Sequence, residues 1–146
     1  MDQPPEPLQV DADSQAISET LSPFTVLPSP FDQFRRWLDD ATNGSLKVVA
    51  PKDMSVATAN ARGVPSVRIV QLDSFDERGF VFCTNDGSRK SQELSENPRA
   101  ALVFYWHWKE FKRQVRVVGR AEKIADEESD IHFKTRPLAD RIAAHA

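Results

Sequence analysis

The stretch from Met54 to Thr84, MSVATANARGVPSVRIVQLDSFDERGFVFCT, decides the fold class. Its apolar residues follow a period of two, and two turn signals interrupt them. Met54–Asn60 reads as a strand and Asn60-Ala61-Arg62-Gly63 as a turn. Ser66–Leu72 reads as a second strand, Asp76-Glu77-Arg78-Gly79 as a second turn, and Phe80–Thr84 as a third strand. Connections this short force neighbouring strands to run antiparallel, because a parallel return needs a crossover of about a dozen residues or more. The three strands therefore form a meander.

Upstream, Phe31, Phe34, Leu38 and Ala41 recur at helical spacing, with charged residues between them, up to Asn43-Gly44. Downstream, Asn85-Asp86-Gly87 breaks the sheet, and Ser88–Glu96 suits a short helix closed by Asn97-Pro98. Arg99–Trp106 is a fourth strand. Ala101, Val103 and Tyr105 lie on one of its faces and Leu102, Phe104 and Trp106 on the other, so both faces call for cover. Arg113–Ile124 is a fifth strand, and Asp126–Lys134 reads as a helix ended by Arg136-Pro137. Five strands with two or three peripheral helices imply a mainly β fold, a small antiparallel barrel in the Greek-key manner. An open five-stranded sheet would leave long edges, so closure or dimerisation is expected.

Composition sets the outer bounds. The 146 residues suit one domain. Residues 1–29 read as a flexible acidic tail rich in proline, preceding a folded domain over 30–146. Six of the 22 acids lie in residues 1–34, which hold no Lys or Arg; the remainder carries 19 basic against 16 acidic groups. That mild excess is not the dense basic stripe of a nucleic-acid binder. No apolar run reaches the roughly 18 residues of a membrane span. The lone cysteine, Cys83, excludes an internal disulfide, and with no secretory signal at the N-terminus the expected location is the cytoplasm. His107, His132 and His145 have no ligand-like spacing with Cys83, so no metal site is expected.

The chemistry concentrates between Arg68 and Lys90. Arg68 stands in the otherwise apolar run Val67–Leu72, and a buried guanidinium without a partner is very costly, so an anion or a carboxylate must meet it. Gly87-Ser88-Arg89-Lys90 opens a helix, where backbone amides, a hydroxyl and two cations converge as in a phosphate site. Thr84 adds a hydroxyl at the same corner. The residues alone leave alternatives open: Arg68 could pair with an acid, and Ser88-Arg89-Lys90 could be a solvated helix start.

The runs Arg68-Ile-Val-Gln-Leu, Gly79-Phe-Val-Phe-Cys-Thr-Asn and Gly87-Ser-Arg-Lys, in this order and spacing, resemble the flavin-binding core of pyridoxine/pyridoxamine 5′-phosphate oxidases. So do Asn97-Pro-Arg-Ala-Ala-Leu-Val-Phe-Tyr-Trp and Arg113-Gln-Val-Arg-Val-Val-Gly-Arg-Ala-Glu122; the likeness runs from about Phe31 to Pro137. The resemblance implies a split barrel that dimerises with FMN at the subunit interface. Arg68, Ile69, Val70, Gln71, Leu72, Cys83, Thr84, Arg89 and Lys90 would line the FMN site, with Ser88 a further candidate and Gln114 contacting the flavin from the fifth strand. The implied activity is an FMN-dependent oxidase acting on a small amine or alcohol, by default pyridoxine or pyridoxamine 5′-phosphate, with oxygen as acceptor. The alternatives are a phenazine-type tailoring oxidase and a flavin-binding protein without turnover.

Arg136 matches a substrate-binding arginine of the family, and His132 stands where it has a substrate tyrosine. Asp73 replaces a substrate-phosphate lysine and Asp140 a serine, and two carboxylates there repel a phosphate dianion. The true substrate and the catalytic residues thus stay open. The family's further strands lie beyond Ala146, so the barrel is expected to be incomplete at its C-terminal side.

Overall fold

The computed structural model describes residues 21–44, 48–109, 111–125, 127, 128, 131 and 134. The chain forms two compact units, residues 1–47 and residues 48–146. The described part of the first contains helix α1, Pro30–Asn43. Ser29 caps it by accepting from the Asp32 amide, and Pro30 occupies the first turn, where its missing N–H costs nothing. Its buried residues are Phe34, Leu38 and Ala41, three positions of the expected stripe. At the end of the helix the Gly44 amide donates to the Asp40 carbonyl at 3.1 Å. A Cβ at Gly44 would sit 2.4 Å from that oxygen, so only glycine closes the helix this way.

The described residues of the second unit build a five-stranded antiparallel sheet and a short helix between its third and fourth strands. Its elements are β1 (Asp53–Ala59), β2 (Pro65–Asp76), β3 (Gly79–Phe82), α2 (Arg89–Glu96), β4 (Arg99–Trp108) and β5 (Phe111–Arg120). The spatial order is β3-β2-β1-β4-β5. Three hairpin-linked strands followed by a fourth that returns through α2 to lie beside the first is the Greek-key arrangement.

Local chemistry sets the turns. Asn60 Oδ1 accepts from the Arg62 and Val64 amides at 3.0 Å each, and Gly63 takes the positive φ of 78° that the β1–β2 turn requires. Between β2 and β3, Asp76 Oδ1 accepts from the Arg78 amide at 2.8 Å.

The C-terminal ends of all five strands differ from those expected, and for three of them the pairing shows why. β2 extends to Asp76, because its ladder with β3 continues to Asp76↔Gly79. β3 stops at Phe82, and the chain leaves the ladder before Thr84, whose hydroxyl lies 3.0 Å from that of Ser88. β5 ends at Arg120, opposite Arg99, where Pro98 interrupts its partner strand. Beyond β5, the described residues Glu127, Glu128, Ile131 and Lys134 are helical, as expected of that segment.

One face of the sheet is the core: Met54 and Val56 of β1, Leu72 of β2, and Leu102, Phe104 and Trp106 of β4 are buried. Phe80, Phe104 and Trp106 form an aromatic row with successive centroids 6.1 and 5.7 Å apart. Trp106 Nε1 donates to the Pro51 carbonyl at 2.8 Å, so its one polar atom is satisfied. The opposite face is exposed although apolar, carrying Val67, Ile69, Tyr105 and Val118. Among the described residues, one face of β4 is thus buried and the other is not. No helix among the described residues is long and apolar enough to cross a membrane.

Candidate functional site

Arg68 opposes Val56 in the β1–β2 ladder and therefore points to the core face. Its side chain is only 23% exposed. Nη1 donates to the Val56 carbonyl at 3.1 Å and to Thr58 Oγ1 at 2.7 Å; Nη2 donates to Ser66 Oγ at 2.5 Å. Behind both hydroxyls lies Glu93 of α2, which is 4% exposed. Its Oε2 accepts from Thr58 Oγ1 and Ser66 Oγ, each at 2.5 Å, and lies 3.3 Å from Arg68 Nη2. Its Oε1 accepts from Arg89 Nε at 2.8 Å. Of the two partners the sequence left open for Arg68, the chain itself supplies the carboxylate.

In the sequence Glu93 looks like one more acid on a polar helix. A signal was present: Glu93 lies four residues after Arg89, on the same helix face. Hydrogen bonds from Ser66 and Thr58, reinforced by Arg89, outweigh burial and hold its carboxyl at about 2, so it is ionised at neutral pH.

Beside this network sits a second chain of polar groups. Ser88 caps α2 by accepting from the Ser91 amide; Lys90 Nζ lies 3.4 Å and Thr84 Oγ1 3.0 Å from its hydroxyl. Burial, and then the positive charge of Arg68, lower the pKa of Lys90 below the usual lysine value. The Arg89 side chain is held at Nε yet remains 68% exposed. Three cations against one carboxylate leave the corner with two positive charges beside a helix N-terminus. Such a corner is built to receive an anion.

The same strand offers a second recognition element. β3 pairs with β2 only from Leu72 onward, so among the described residues Pro65–Gln71 has a neighbour on the β1 side alone. The Leu72 amide donates to Lys52 on the β1 side. Backbone groups alternate along an antiparallel strand, so Val67, Ile69 and Gln71 turn their N–H and C=O groups to the open edge. Val70 and Leu72 point inward and pair with β1. On the exposed face an open hollow of about 270 Å³ is lined by Val49, Ala50, Asp53, Met54, Ser55, Ile69, Val103 and Tyr105.

The structure thus brings together Arg68, Ser88, Arg89, Lys90 and Thr84, with half-buried Cys83 just past the end of β3. It does not bring Gln114 there. That residue lies on β5, paired with Tyr105 of β4, three strands from β2 and about 14 Å across the sheet at the usual strand spacing. Asp73 lies at the bulge where the β2–β3 register shifts between Leu72 and Ser74. His132, Arg136 and Asp140 lie outside the described residues.

A sequence profile of the family described as pyridoxamine 5′-phosphate oxidase matches residues 45–146, the corner and the whole sheet included. The chain belongs to this family. Relatives named pyridoxine/pyridoxamine 5′-phosphate oxidase include that of Cupriavidus taiwanensis, 52% identical over 126 residues, and that of Trichormus variabilis, 51% identical over 126. Each match covers 86% of this chain but only 58% and 57% of the relatives, so the chain spans somewhat over half their length.

Among solved structures, PhzG from Burkholderia lata 383, in complex with tetrahydrophenazine-1-carboxylic acid, superposes with a TM-score of 0.76 at 30% identity. That match covers 87% of this chain and 62% of PhzG. A pyridoxamine 5′-phosphate oxidase-related, FMN-binding protein from Nostoc punctiforme shares the fold, with a TM-score of 0.62 at 17% identity over 79% of this chain and 63% of that one. The mainly β sheet is the split-barrel fold of this family.

Proposed function

We propose that this chain binds flavin mononucleotide and forms part of an FMN-dependent oxidase of the pyridoxamine 5′-phosphate oxidase family. The observation that carries the proposal is the doubly positive corner formed by Arg68, Arg89, Lys90 and Glu93, whose net charge matches a phosphate dianion. Lys90 is the telling member: burial and a neighbouring cation both disfavour its charge, and an anion at the corner reverses that balance. The donor set fits the phosphate, and the open edge at Ile69 and Gln71 fits a flat heterocycle with alternating donors and acceptors.

Bound there, the flavin supplies two-electron redox chemistry, with dioxygen as the proposed acceptor. The work of the chain is placement. Arg68, Lys90 and Ser88 hold the phosphate, the amides of α2 add their dipoles, and the strand edge orients the ring. The exposed apolar face around Val67, Ile69, Tyr105 and Val118 is proposed to meet a second copy of the chain, which would carry its Gln114 to the shared site. Pyridoxine or pyridoxamine 5′-phosphate is the first substrate to test.

A tetrahydrophenazine carboxylate is the second, because PhzG is 30% identical and superposes closely. Asp73 stands near the end of the proposed flavin strand and favours a substrate without a phosphate dianion at that position. The test is direct. The purified chain, mixed with FMN and freed of excess, is expected to be yellow and to bleach under anaerobic addition of one of the two substrates. A colourless protein refutes flavin binding, and a yellow one that neither substrate bleaches refutes both substrate assignments.

A further inference from the structure

We propose that Glu93 is the positioning residue of the anion corner, fixing Arg68 through Thr58 and Ser66 so that the guanidinium stays aligned for a flavin phosphate. The inference rests on the reading of this corner as a phosphate site, and it concerns a residue that touches no ligand itself.

A hydroxyl has one proton to give. Thr58 and Ser66 both give theirs to Glu93 Oε2 at 2.5 Å. Each oxygen is then left as a pure acceptor, and each accepts from Arg68, at 2.7 and 2.5 Å. Glu93 therefore sets the polarity of both hydroxyls and, through them, the orientation of Arg68. Its other oxygen holds Arg89 Nε at 2.8 Å. One buried carboxylate thus ties two cations on different elements, strand β2 and helix α2.

Charge alone argues against having an acid here. A carboxylate beneath an anion site lowers the local potential and weakens attraction for a phosphate. Arg68 also repels Lys90, which favours the guanidinium swinging away into water. The acid earns its place through geometry: it keeps Arg68 next to Lys90 against that repulsion. Glutamine retains one oxygen able to accept from both hydroxyls, whereas leucine leaves both hydroxyl rotors free.

The experiment compares FMN with riboflavin, which lacks the phosphate, in the full chain and in E93L, E93Q and S66A. The ratio of the two dissociation constants isolates the phosphate contribution and is blind to a general loss of stability. In E93L the preference for FMN is expected to fall by about tenfold or more, the scale of one charge-assisted hydrogen bond. In E93Q it is expected to stay within about threefold of the parent, and S66A is expected to lie between.

An unchanged ratio in E93L overturns the proposal, as does an E93Q variant that loses the preference as fully as E93L, because charge and not placement would then be decisive. If E93L does not fold, an unchanged ratio in S66A is the overturning result. A preference for FMN that rises in E93L also overturns it, since the acid would then be a mere electrostatic burden. Equal affinity of the unaltered chain for FMN and riboflavin refutes the phosphate site itself, whatever the variants do.

Discussion

Replacing Lys90 with methionine removes one charge from the corner and keeps nearly the same length of apolar stem. In the folded chain Lys90 has a distant hydroxyl partner, Ser88 Oγ at 3.4 Å, while burial and the Arg68 charge both lower its pKa. Loss of its ammonium therefore leaves no strong internal partner behind, and the melting temperature is expected to hold or rise slightly. Binding is another matter. A phosphate oxygen at Nζ gains a charge-assisted hydrogen bond, whose loss costs about 1.5–3 kcal/mol, or roughly 10- to 150-fold in the dissociation constant of FMN. Riboflavin, without the phosphate, is expected to bind both proteins alike. Titration calorimetry or flavin fluorescence quenching with both ligands measures the two constants directly. An FMN affinity changed by less than about twofold, or an equal loss for riboflavin, refutes the reasoning, because either result moves Lys90 away from the phosphate.

Three further outcomes follow from the same structure. Glu93 titrates at about 2 in the fold against 4.5 for a free glutamate, so its ionised form stabilises the fold above the higher value. That contribution is lost as pH falls from about 4.5 through 2, and acid unfolding followed by circular dichroism is expected to be shallower over that window in E93Q than in the parent. Phe104→Ala empties a fully buried site in the aromatic row and is expected to cost about 3–5 kcal/mol in denaturant melts. Ile69→Asp places a charge on the exposed apolar face proposed to meet a second copy; sedimentation is expected to show the unaltered chain as a dimer and the variant as a monomer, and an equal assembly state in both would refute an interface at this face.

Most of the sheet was legible because its signals are local. The alternation in Met54–Asn60 and Ser66–Leu72, the Asn60–Gly63 turn and the Asn97-Pro98 stop each act within a few residues, and each element appears near where those signals place it. Strand ends were less legible because partners set them: β5 ends opposite Arg99 because Pro98 precedes β4, a reason outside its own sequence. The return of β4 to the side of β1 likewise depends on long-range closure through α2. At the site, Arg68, Ser88 and Lys90 announced themselves by being polar at a strand interior or a helix start. Glu93 did not, because its surroundings, Ser91-Gln92-Glu93-Leu94-Ser95-Glu96, read as a solvated helix. Only the packing of α2 near β1 and β2 distinguishes it from Glu96, which is exposed and reaches the Ala61 amide at 3.2 Å.

The open edge of β2 bears on why the corner and the apolar face belong to one design. An exposed strand edge flanked by apolar side chains is an aggregation hazard, and proteins usually blunt it with charge, a bulge or a short strand. Here the bulge at Leu72–Ser74 comes only where β3 begins, while among the described residues Pro65–Gln71 stays open, with Val67 and Ile69 exposed beside it. The only charged side chain within that run, Arg68, points inward to Glu93 and does nothing to guard the edge. A strand left unguarded on both its edge and its outer face makes physical sense if something else covers them. On our reading the flavin ring takes the edge and a second chain takes the face, so cofactor binding and assembly are one event. Dimerisation is then expected to strengthen with FMN, measured as a dissociation constant that falls on flavin addition; an FMN-independent dimer would separate the two and show that the edge is open for another reason.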